Sequence, residues 1–246
     1  MKKSIIVLFV TIVSMVLGYS DKAHSATQFV ISPPPIASPS FEKGKSNSRA
    51  DVSFVSLSTD TFSALGAGVD FKTRKPFSDL FAMDFQGGVF FLSGESDASS
   101  DMTMTMLNVP ASVNLECQPV KTDSFNTILF GGLVASVSTT YIEVNEVSVG
   151  SSNVLAGYQL GIQLGFFSQN YVISPFAFTL SQSGTGETDG VTFDIDEYTS
   201  NSVGLDIMHK SSGITLSSIM NFISQTSDDK DEEDVDIFIL KIGKSF

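Results

Sequence analysis

Apolar and polar side chains alternate along most of the chain after residue 48, and the pattern is clearest in Asn153–Phe167. One face of this stretch would carry Val154, Ala156, Tyr158, Leu160, Ile162, Leu164 and Phe166. The other face would carry Leu155, Gly157, Gln159, Gly161, Gln163 and Gly165. A period of two predicts a β-strand. Because the second face is small and amide-rich rather than charged, we interpret it as the lumen side of a barrel whose outer wall faces lipid.

The same alternation predicts ten strands, each long enough for the roughly 9–11 residues that a membrane crossing needs. They are Arg49–Ser58, Phe62–Lys72, Asp79–Ser93, Met102–Cys117, Thr127–Tyr141, Asn153–Phe167, Tyr171–Ser181, Ile195–His209, Ile214–Thr226 and Val235–Phe246. The first hairpin, at 59–61, has the weakest signal, so eight strands is the alternative count. The predicted fold is an all-β, antiparallel, up-and-down transmembrane barrel.

The connections between these strands differ in charge. Those expected to be basic or neutral turns are Thr73–Ser78, Gln118–Asn126, Ser168–Asn170 and Lys210–Gly213. Those expected to be acidic loops are Gly94–Asp101, Ile142–Ser152, Gln182–Asp194 and Ser227–Asp234. The two kinds alternate along the chain, so all turns of one kind should lie at one end of the barrel. Short periplasmic turns and longer outer loops are typical of transmembrane barrels.

The first 25 residues have the pattern of a cleaved secretory signal peptide. Met1–Lys3 is basic, Ile5–Leu17 is apolar, and Ala23 and Ser25 place small residues at −3 and −1. We therefore expect three segments: a signal peptide at 1–25, a Pro-rich periplasmic lead-in at 26–48, and the barrel at 49–246. Removing Lys2, Lys3, Lys22 and Asp21 with the signal peptide takes the formal net charge from −13 to −15.

The last strand keeps one apolar face up to a terminal aromatic residue. That face holds Phe238, Leu240, Ile242 and Phe246, interrupted by Lys244. In this feature the chain resembles small bacterial outer-membrane β-barrels of the OmpA/OmpX type, over residues 49–246. The resemblance implies that these four residues form the signal read by the barrel-assembly machinery. It also implies an outer-membrane location, contact with outer-membrane lipid and lipopolysaccharide, the barrel-assembly machinery as a partner during biogenesis, and a monomeric barrel.

Several charged residues fall on the predicted lumen side, towards the periplasmic half. They are Asp70, Lys72, Asp84, Glu116, Asp206 and Lys241, and they are joined by Gln86, Asn114, Gln159 and Gln163. Charges in a narrow barrel must pair or stay hydrated, because unpaired charge in a low-dielectric interior is costly. Two interpretations stay open: a charged constriction that gates a narrow pore, and a structural salt-bridge network that fills a closed barrel. The second is favoured.

A second acidic cluster lies in the last loop. It consists of Asp228, Asp229, Asp231, Glu232, Glu233 and Asp234. Carboxylates bind hard cations, so this cluster is a candidate for bridging divalent cations to lipopolysaccharide. The Gly of an EF-hand loop is missing, and a solvated, self-repelling loop tip is the favoured interpretation. No metal or other cofactor is expected.

The remaining residues argue against several function classes. An acidic chain repels nucleic acid, so no nucleic-acid partner is expected. After the signal peptide the sequence holds one His, His209, beside a predicted turn and three residues from Asp206, which puts the two on opposite strand faces. We therefore predict no enzymatic activity. Cys117 is expected to be a small buried or lipid-facing residue. With no Trp present, the aromatic girdle would rest on Phe77, Phe81, Phe125, Phe166, Phe167 and Tyr171.

Three functions follow in order of preference. The first is a structural or adhesin-like outer-membrane barrel, which is a role that the resemblance implies. The second is a narrow diffusion channel, which an acidic mouth would bias towards cations. The third is a soluble, secreted, lipocalin-like barrel that binds an apolar ligand.

Overall fold

The computed structural model describes residues 40–58, 62–96, 102–144, 147–225 and 233–246. Ten strands make up most of this part of the chain. They are β1 (Asn47–Ser58), β2 (Phe62–Pro76), β3 (Phe81–Ser96), β4 (Met102–Lys121), β5 (Phe125–Val144), β6 (Val147–Phe167), β7 (Tyr171–Thr188), β8 (Val191–His209), β9 (Ile214–Gln225) and β10 (Glu233–Ser245).

Every strand pairs antiparallel with its neighbours in sequence, and β1 pairs with β10, so the sheet closes into a barrel. The closing pair runs from Arg49↔Ser245 to Leu57↔Ile237. Beyond it, the Ser48 N–H donates to the Phe246 carbonyl and the Phe246 N–H donates to the Ser48 carbonyl, both at 2.9 Å. Closure leaves no edge strand free to pair with another chain. The prediction of an up-and-down barrel of ten strands is confirmed.

The two ends of the barrel differ in construction. Short turns at residues 77–80, 122–124, 168–170 and 210–213 lie at one end, together with the start of β1 and the end of β10. We call this the turn end. The opposite end carries the hairpins β5–β6 and β7–β8, and we call it the hairpin end.

The hairpin end is taller on one side of the barrel. β4 to β8 contain 18 to 21 residues, whereas β1 and β9 contain 12. Because all strands begin or end together at the turn end, the extra residues stand at the hairpin end. At about 3.3 Å per residue, eight extra residues extend a strand by roughly 25 Å.

Two predicted acidic loops are therefore wrong in extent. Most of Ile142–Ser152 and of Gln182–Asp194 is strand, since β5 and β6 pair up to Val144↔Val147 and β7 and β8 are joined only by Asp189 and Gly190. The last two residues have φ of 51° and 80°, as a tight two-residue hairpin requires. Segments rich in Ser, Thr and Gly resemble loops in sequence. Here their backbone N–H and C=O groups are paired with those of the neighbouring strands.

The outer wall is apolar, and the inner side is divided. Leu65, Leu133 and Leu160 expose 72%, 73% and 58% of their surface outward, which is the inverse of a soluble barrel. Polar and charged side chains fill the turn half of the interior, whereas the hairpin half contains a large apolar cluster. The charged side chains of the predicted polar lumen therefore lie in the turn half, whereas in the hairpin half uncharged Asn108, Ser138 and Asn153 are buried among apolar side chains. In β10 the inward residues Ile237 and Ile239 are apolar like the outward ones, so the phase of the strand was predicted but the apolar character of its inward face was not.

Across the residues described, we find no helix with the length and apolar character needed to cross a membrane.

Candidate functional site

The turn half of the lumen holds a cluster of buried charges. Its members among the residues described are the cations Arg49, Lys72, Arg74 and Lys241 and the acids Asp51, Asp70, Asp84, Glu116 and Asp206. Each is an inward-facing strand residue that exposes 5% of its surface or less. The alternation of the strands puts them inside, and their positions near the strand ends put them at one level.

Arg49 links three strands near the seam between β1 and β10. Its Nε donates to Asp51 Oδ1 at 2.6 Å, its Nη1 to Asp206 Oδ2 at 2.7 Å, and its Nη2 to Ser217 Oγ at 2.6 Å. Ser217 in turn donates to Asp206 Oδ1 at 2.5 Å. A planar guanidinium with several donors suits this role, because it can hold two carboxylates in fixed directions. The group ties β1 to β8 and β9 across the last strand.

Two lysines continue the network on the other side of the seam. Lys241 Nζ of β10 donates to Asp70 Oδ2 of β2 at 2.8 Å, so this ion pair spans β1. Lys72 Nζ lies 3.5 Å from both Asp51 Oδ2 and Asp70 Oδ1. Ser53 also donates to Asp70, at 3.0 Å. The ion pairs therefore hold together the strands on either side of the closing pair.

A separate ion pair, between Arg74 and Glu116, lies in the turn half of the lumen. Arg74 of β2 donates to Glu116 of β4 through both Nε and Nη2, the latter at 2.8 Å from Oε1. Bidentate geometry of this kind is the strong form of a charge-assisted hydrogen bond. Asp84 lies on β3 between the two and accepts from Gln86 Nε2 at 2.7 Å. Removing Arg74 would leave Glu116 buried without its cation.

Residues before β1 cover the turn end of this network. Phe41 exposes 1% of its surface and packs with Ala82 and Ile128. The guanidinium carbon of Arg74 lies 5.5 Å from the centre of its ring, within cation–π range. Phe41 N–H donates to Gln118 Oε1 at 3.2 Å, and Lys121 Nζ donates to the Phe41 carbonyl at 2.9 Å.

A tight turn holds the Phe41 backbone in place. Glu42 and Lys45 bridge to each other, and Gly44 between them has a φ of 76°, which suits a residue with no Cβ. The Lys43 N–H donates to Asp79 Oδ1 in the first turn of the barrel at 2.9 Å. We call residues 40–46 the plug segment. The prediction treated this stretch as part of a periplasmic lead-in, and its place against the lumen was missed.

Apolar side chains close the hairpin half. Phe90, Leu92 and Ile239 are fully buried there, and Lys241 Nζ lies 5.6 Å from the centre of the Phe90 ring at the border between the two halves. The cluster also contains Met102, Met104, Met106, Leu155, Phe176, Phe178, Phe193, Ile195, Tyr198, Ile219, Ile223 and Ile237. Tyr198 donates its hydroxyl to Gln182 Oε1 at 2.8 Å. Buried Ser138, Asn153 and Asn221 lie in the same half, so apolar and polar side chains together line the interior above the ion-pair network.

All six predicted lumen charges point inward. Asp70, Lys72 and Lys241 lie in one network, which Asp51 and Arg49 extend to Asp206. Glu116 pairs with Arg74, and Asp84 lies beside them. Sequence reasoning missed Arg49, Asp51 and Arg74. Each of the three continues the period-two pattern of a predicted inward face, so the signal was present, but Arg74 had been assigned to a turn.

The C-terminal residues take the predicted positions. Phe238, Ile242 and Phe246 face outward, Leu240 is half-buried on the same face, and the Phe246 ring lies 6.4 Å from the Phe71 ring. Their role as an assembly signal stays a prediction.

The predicted girdle residues do lie at the turn end. Phe77 stacks on Phe81 at 6.2 Å, and the Phe125 and Phe166 ring centres are 5.2 Å apart. Lys210 Nζ lies 5.6 Å from the centre of the Phe167 ring. Aromatic rows of this kind mark the interface of transmembrane barrels.

Three further predictions concern the acidic cluster of the last loop, His209 and Cys117. Asp228, Asp229, Asp231 and Glu232 lie outside the residues described, and of Glu233 and Asp234 only the backbone, in β10, is described. The His209 ring lies 5.1 Å from the Tyr171 ring at the turn end, tilted by 55° to it, with its Nδ1 2.9 Å from Ser212 Oγ. Cys117 is half-buried on the outer face of β4. Within the ranges given above, no group of three or more His, Cys, Asp or Glu could hold a metal ion.

No protein-family model and no curated protein matches the chain by sequence. Solved structures do match. The outer membrane protease OmpT from Escherichia coli aligns with a TM-score of 0.55 at 8% identity, covering 84% of this chain and 98% of OmpT. The translocator domain of the autotransporter NalP from Neisseria meningitidis aligns with a TM-score of 0.54 at 7% identity, covering 82% and 88%. The chain has the fold of bacterial outer-membrane β-barrels. The absence of enzymatic activity stays a prediction, since one of these structures is a protease.

Proposed function

We propose that the chain is an integral outer-membrane β-barrel with a closed lumen, and that its long hairpin wall acts in contacts at the cell surface. The single observation that supports this most is the contrast along the barrel axis. Buried side chains line the interior from the plug segment to the apolar cluster, whereas β4 to β8 extend well beyond the length that a membrane requires.

The outer wall supports a membrane location. A band of exposed Leu, Val, Ile and Phe surrounds the barrel. Towards the hairpin end it gives way to Thr103, Ser152, Thr185 and Asp194, all exposed or half-exposed on the strands that rise highest. Such a wall would aggregate in water, so a soluble lipocalin-like barrel is not the function we favour.

The charges support an orientation with the turn end in the periplasm. In the stretches that the structure describes, every Lys and Arg lies at the turn end or in the turn half of the lumen. The hairpin end presents exposed acids, among them Glu143, Glu187, Asp194 and Asp196. We infer that these acids meet cationic groups on another surface, or divalent cations held by lipopolysaccharide. Because its closed sheet offers no edge for pairing with another chain, the proposal takes the barrel as a monomer.

A narrow cation channel is less well supported. Buried ion pairs occupy the turn half, the Phe41 ring covers it, and a large apolar cluster lies in the hairpin half. A conducting state would require the plug segment and at least one ion pair to move together.

Epitope accessibility on intact cells tests the orientation. A short epitope inserted between Asp189 and Gly190 should bind antibody without permeabilisation, because that hairpin is the cell-surface end. The same epitope inserted within 168–170 is the matched control and should bind only after permeabilisation. The reverse result would overturn the proposed orientation.

Attachment to beads tests the surface role. Cells that display the barrel should hold amine-coated beads, and the triple variant Glu187→Gln, Asp194→Asn, Asp196→Asn should hold several-fold fewer. Glu42→Gln at the turn end is the control and should change nothing. Equal attachment by all three would contradict a surface function based on these acids.

A further inference from the structure

A groove of about 720 Å³ opens on the outer wall of the barrel, across β10, β1, β2 and β3. Its walls are apolar, with Val69 and Phe71 of β2 and Ile242 of β10 among its lining residues. The volume lies within the roughly 300–1,000 Å³ of small-molecule sites in proteins. The groove faces away from the lumen. Asp51 and Asp70 also line it, but their carboxylates are buried in the ion-pair network.

The floor of the groove is made by two small outward residues, Ala50 and Gly87. At Gly87 an added Cβ would meet only the Pro110 carbonyl oxygen, at 3.8 Å, which is an ordinary contact. Its neighbour Gly88 faces inward, where a Cβ would come within 2.9 Å of the Phe90 ring. The barrel therefore requires a glycine at 88 but not at 87. A strand glycine that packing does not require often marks a place where another molecule approaches the backbone.

The register of the strands gives the groove a direction. Lys244 pairs with Ala50, Ala50 with Phe71, and Phe71 with Gly87. Lys244 lies two residues from the chain end at the turn end, whereas Gly87 lies six residues into β3 from Phe81. The row thus climbs from the level of the aromatic girdle at Lys244 to the depth of the apolar wall at Gly87.

A single cation lies at the lower end of this row. Lys244 is exposed on the outer face, and the described residues provide no ion pair for it. A lysine at the interface of a membrane reaches towards phosphate groups, while its stem lies along apolar surface. A cation at the membrane interface and an apolar groove leading into the wall match the charged part and the apolar part of one amphipathic molecule.

We propose that this groove binds one glycerophospholipid of the periplasmic leaflet, with an acyl chain over Gly87 and Ala50 and the phosphate against Lys244. The inference rests on the proposed membrane location. Membrane fractionation, and the difference in gel mobility between unheated and boiled samples, test that location separately. A barrel that is found in the outer membrane but retains no lipid would therefore refute the groove and leave the location standing.

Native mass spectrometry of the purified full-length barrel, titrated with palmitoyl-oleoyl-phosphatidylglycerol in mild detergent, tests the site. The wild-type barrel should retain one lipid. Gly87→Leu should lower retention about tenfold by filling the floor, and Ala50→Leu should do so from β1 and covers the case in which the first variant fails to fold. Lys244→Gln should lower retention several-fold, and diacylglycerol, which lacks the phosphate, should bind weakly to every form.

Two control variants keep the bulk and charge changes but move them out of the groove. Ala135→Leu adds the same kind of side chain to the outer wall on β5, and Lys75→Gln removes another exposed cation near the turn end; both should retain lipid as the wild type does. Equal retention by wild type and Gly87→Leu would overturn the proposal. So would tight binding of diacylglycerol, or a mass that corresponds to two barrels rather than one barrel and one lipid.

Discussion

The two halves of the lumen are lined by different kinds of buried side chain. Buried ion pairs that cross the seam between β1 and β10 occupy the turn half, whereas aliphatic, Met and aromatic side chains, with buried Asn and Ser among them, occupy the hairpin half. Buried ion pairs gain little net stability over apolar packing, but they are costly to break singly. The charged half therefore specifies which strands meet at the seam, whereas the apolar half contributes stability without fixing partners. Four variants test this contrast.

The largest effect is expected where one member of a buried pair is removed. Arg74→Met leaves Glu116 without its bidentate partner and should lower the free energy of unfolding by about 3–5 kcal/mol. Urea unfolding in lipid vesicles measures it. Arg74→Met combined with Glu116→Leu removes the unpaired charge as well and should recover most of that loss. If the double variant were as unstable as the single one, the cost would come from lost packing and the contrast would fail.

In the apolar half a single truncation should cost somewhat less and have no charged partner to rescue it. Leu92 is fully buried, so Leu92→Ala should lower the free energy of unfolding by about 2–4 kcal/mol. Leu133 faces outward with 73% of its surface exposed, and Leu133→Ala is the matched control, with a much smaller loss. Equal losses in the same urea experiment would mean that the hairpin half is not a packed core.

The plug segment should affect access to the lumen more than stability. Ala82 is fully buried beneath Phe41, so a cysteine placed there, in a Cys117→Ser background, should react slowly with a water-soluble maleimide. Phe41→Ala should raise the labelling rate at least several-fold, whereas Phe77→Ala, at the exposed turn, should not. Fast labelling with Phe41 intact would show that the plug segment does not cover the lumen.

The smallest effect is expected at the exposed ion pair of the plug segment. Glu42 Oε2 lies 2.6 Å from Lys45 Nζ, and this hydrogen bond and charge lower the pKa of Glu42 below its ordinary value. A carboxyl whose pKa is lower in the folded than in the unfolded chain stabilises the fold at pH values above the unfolded pKa. This contribution is lost as the pH falls through the folded pKa. Both groups are in water, so Glu42→Gln should leave the urea midpoint unchanged at neutral and at acid pH. A clear shift would show that the turn of the plug segment depends on this pair.

The sequence predicted the barrel well because lipid on one side forces a simple alternation. β6 shows this, since its outward face is apolar without a break from Val154 to Phe166. The same alternation placed the charged residues from Asp70 to Lys241 on the inward faces of their strands. Arg74 was missed because the strand was ended too early, although it continues the series of Asp70 and Lys72.

Other features had no signal of that kind. The phase of a strand does not tell whether its inward face is polar: Ile237 and Ile239 of β10 face inward and are apolar, so the apolar cluster was not predicted. Phe41 lies outside every strand, and its position depends on contacts with Arg74 and Gln118 far along the chain. The groove depends on how Ala50, Phe71 and Gly87 align across three strands, which only the register reveals.

Single-channel recording in planar lipid bilayers shows whether the lumen is closed. The purified full-length barrel, inserted and shown to be folded by its heat-induced gel shift, should give no stable conductance steps. Phe41→Ala alone should also stay silent, because the ion pairs and the apolar cluster remain. Steady, cation-selective steps from the wild-type barrel would contradict a filled interior and would favour the narrow channel instead.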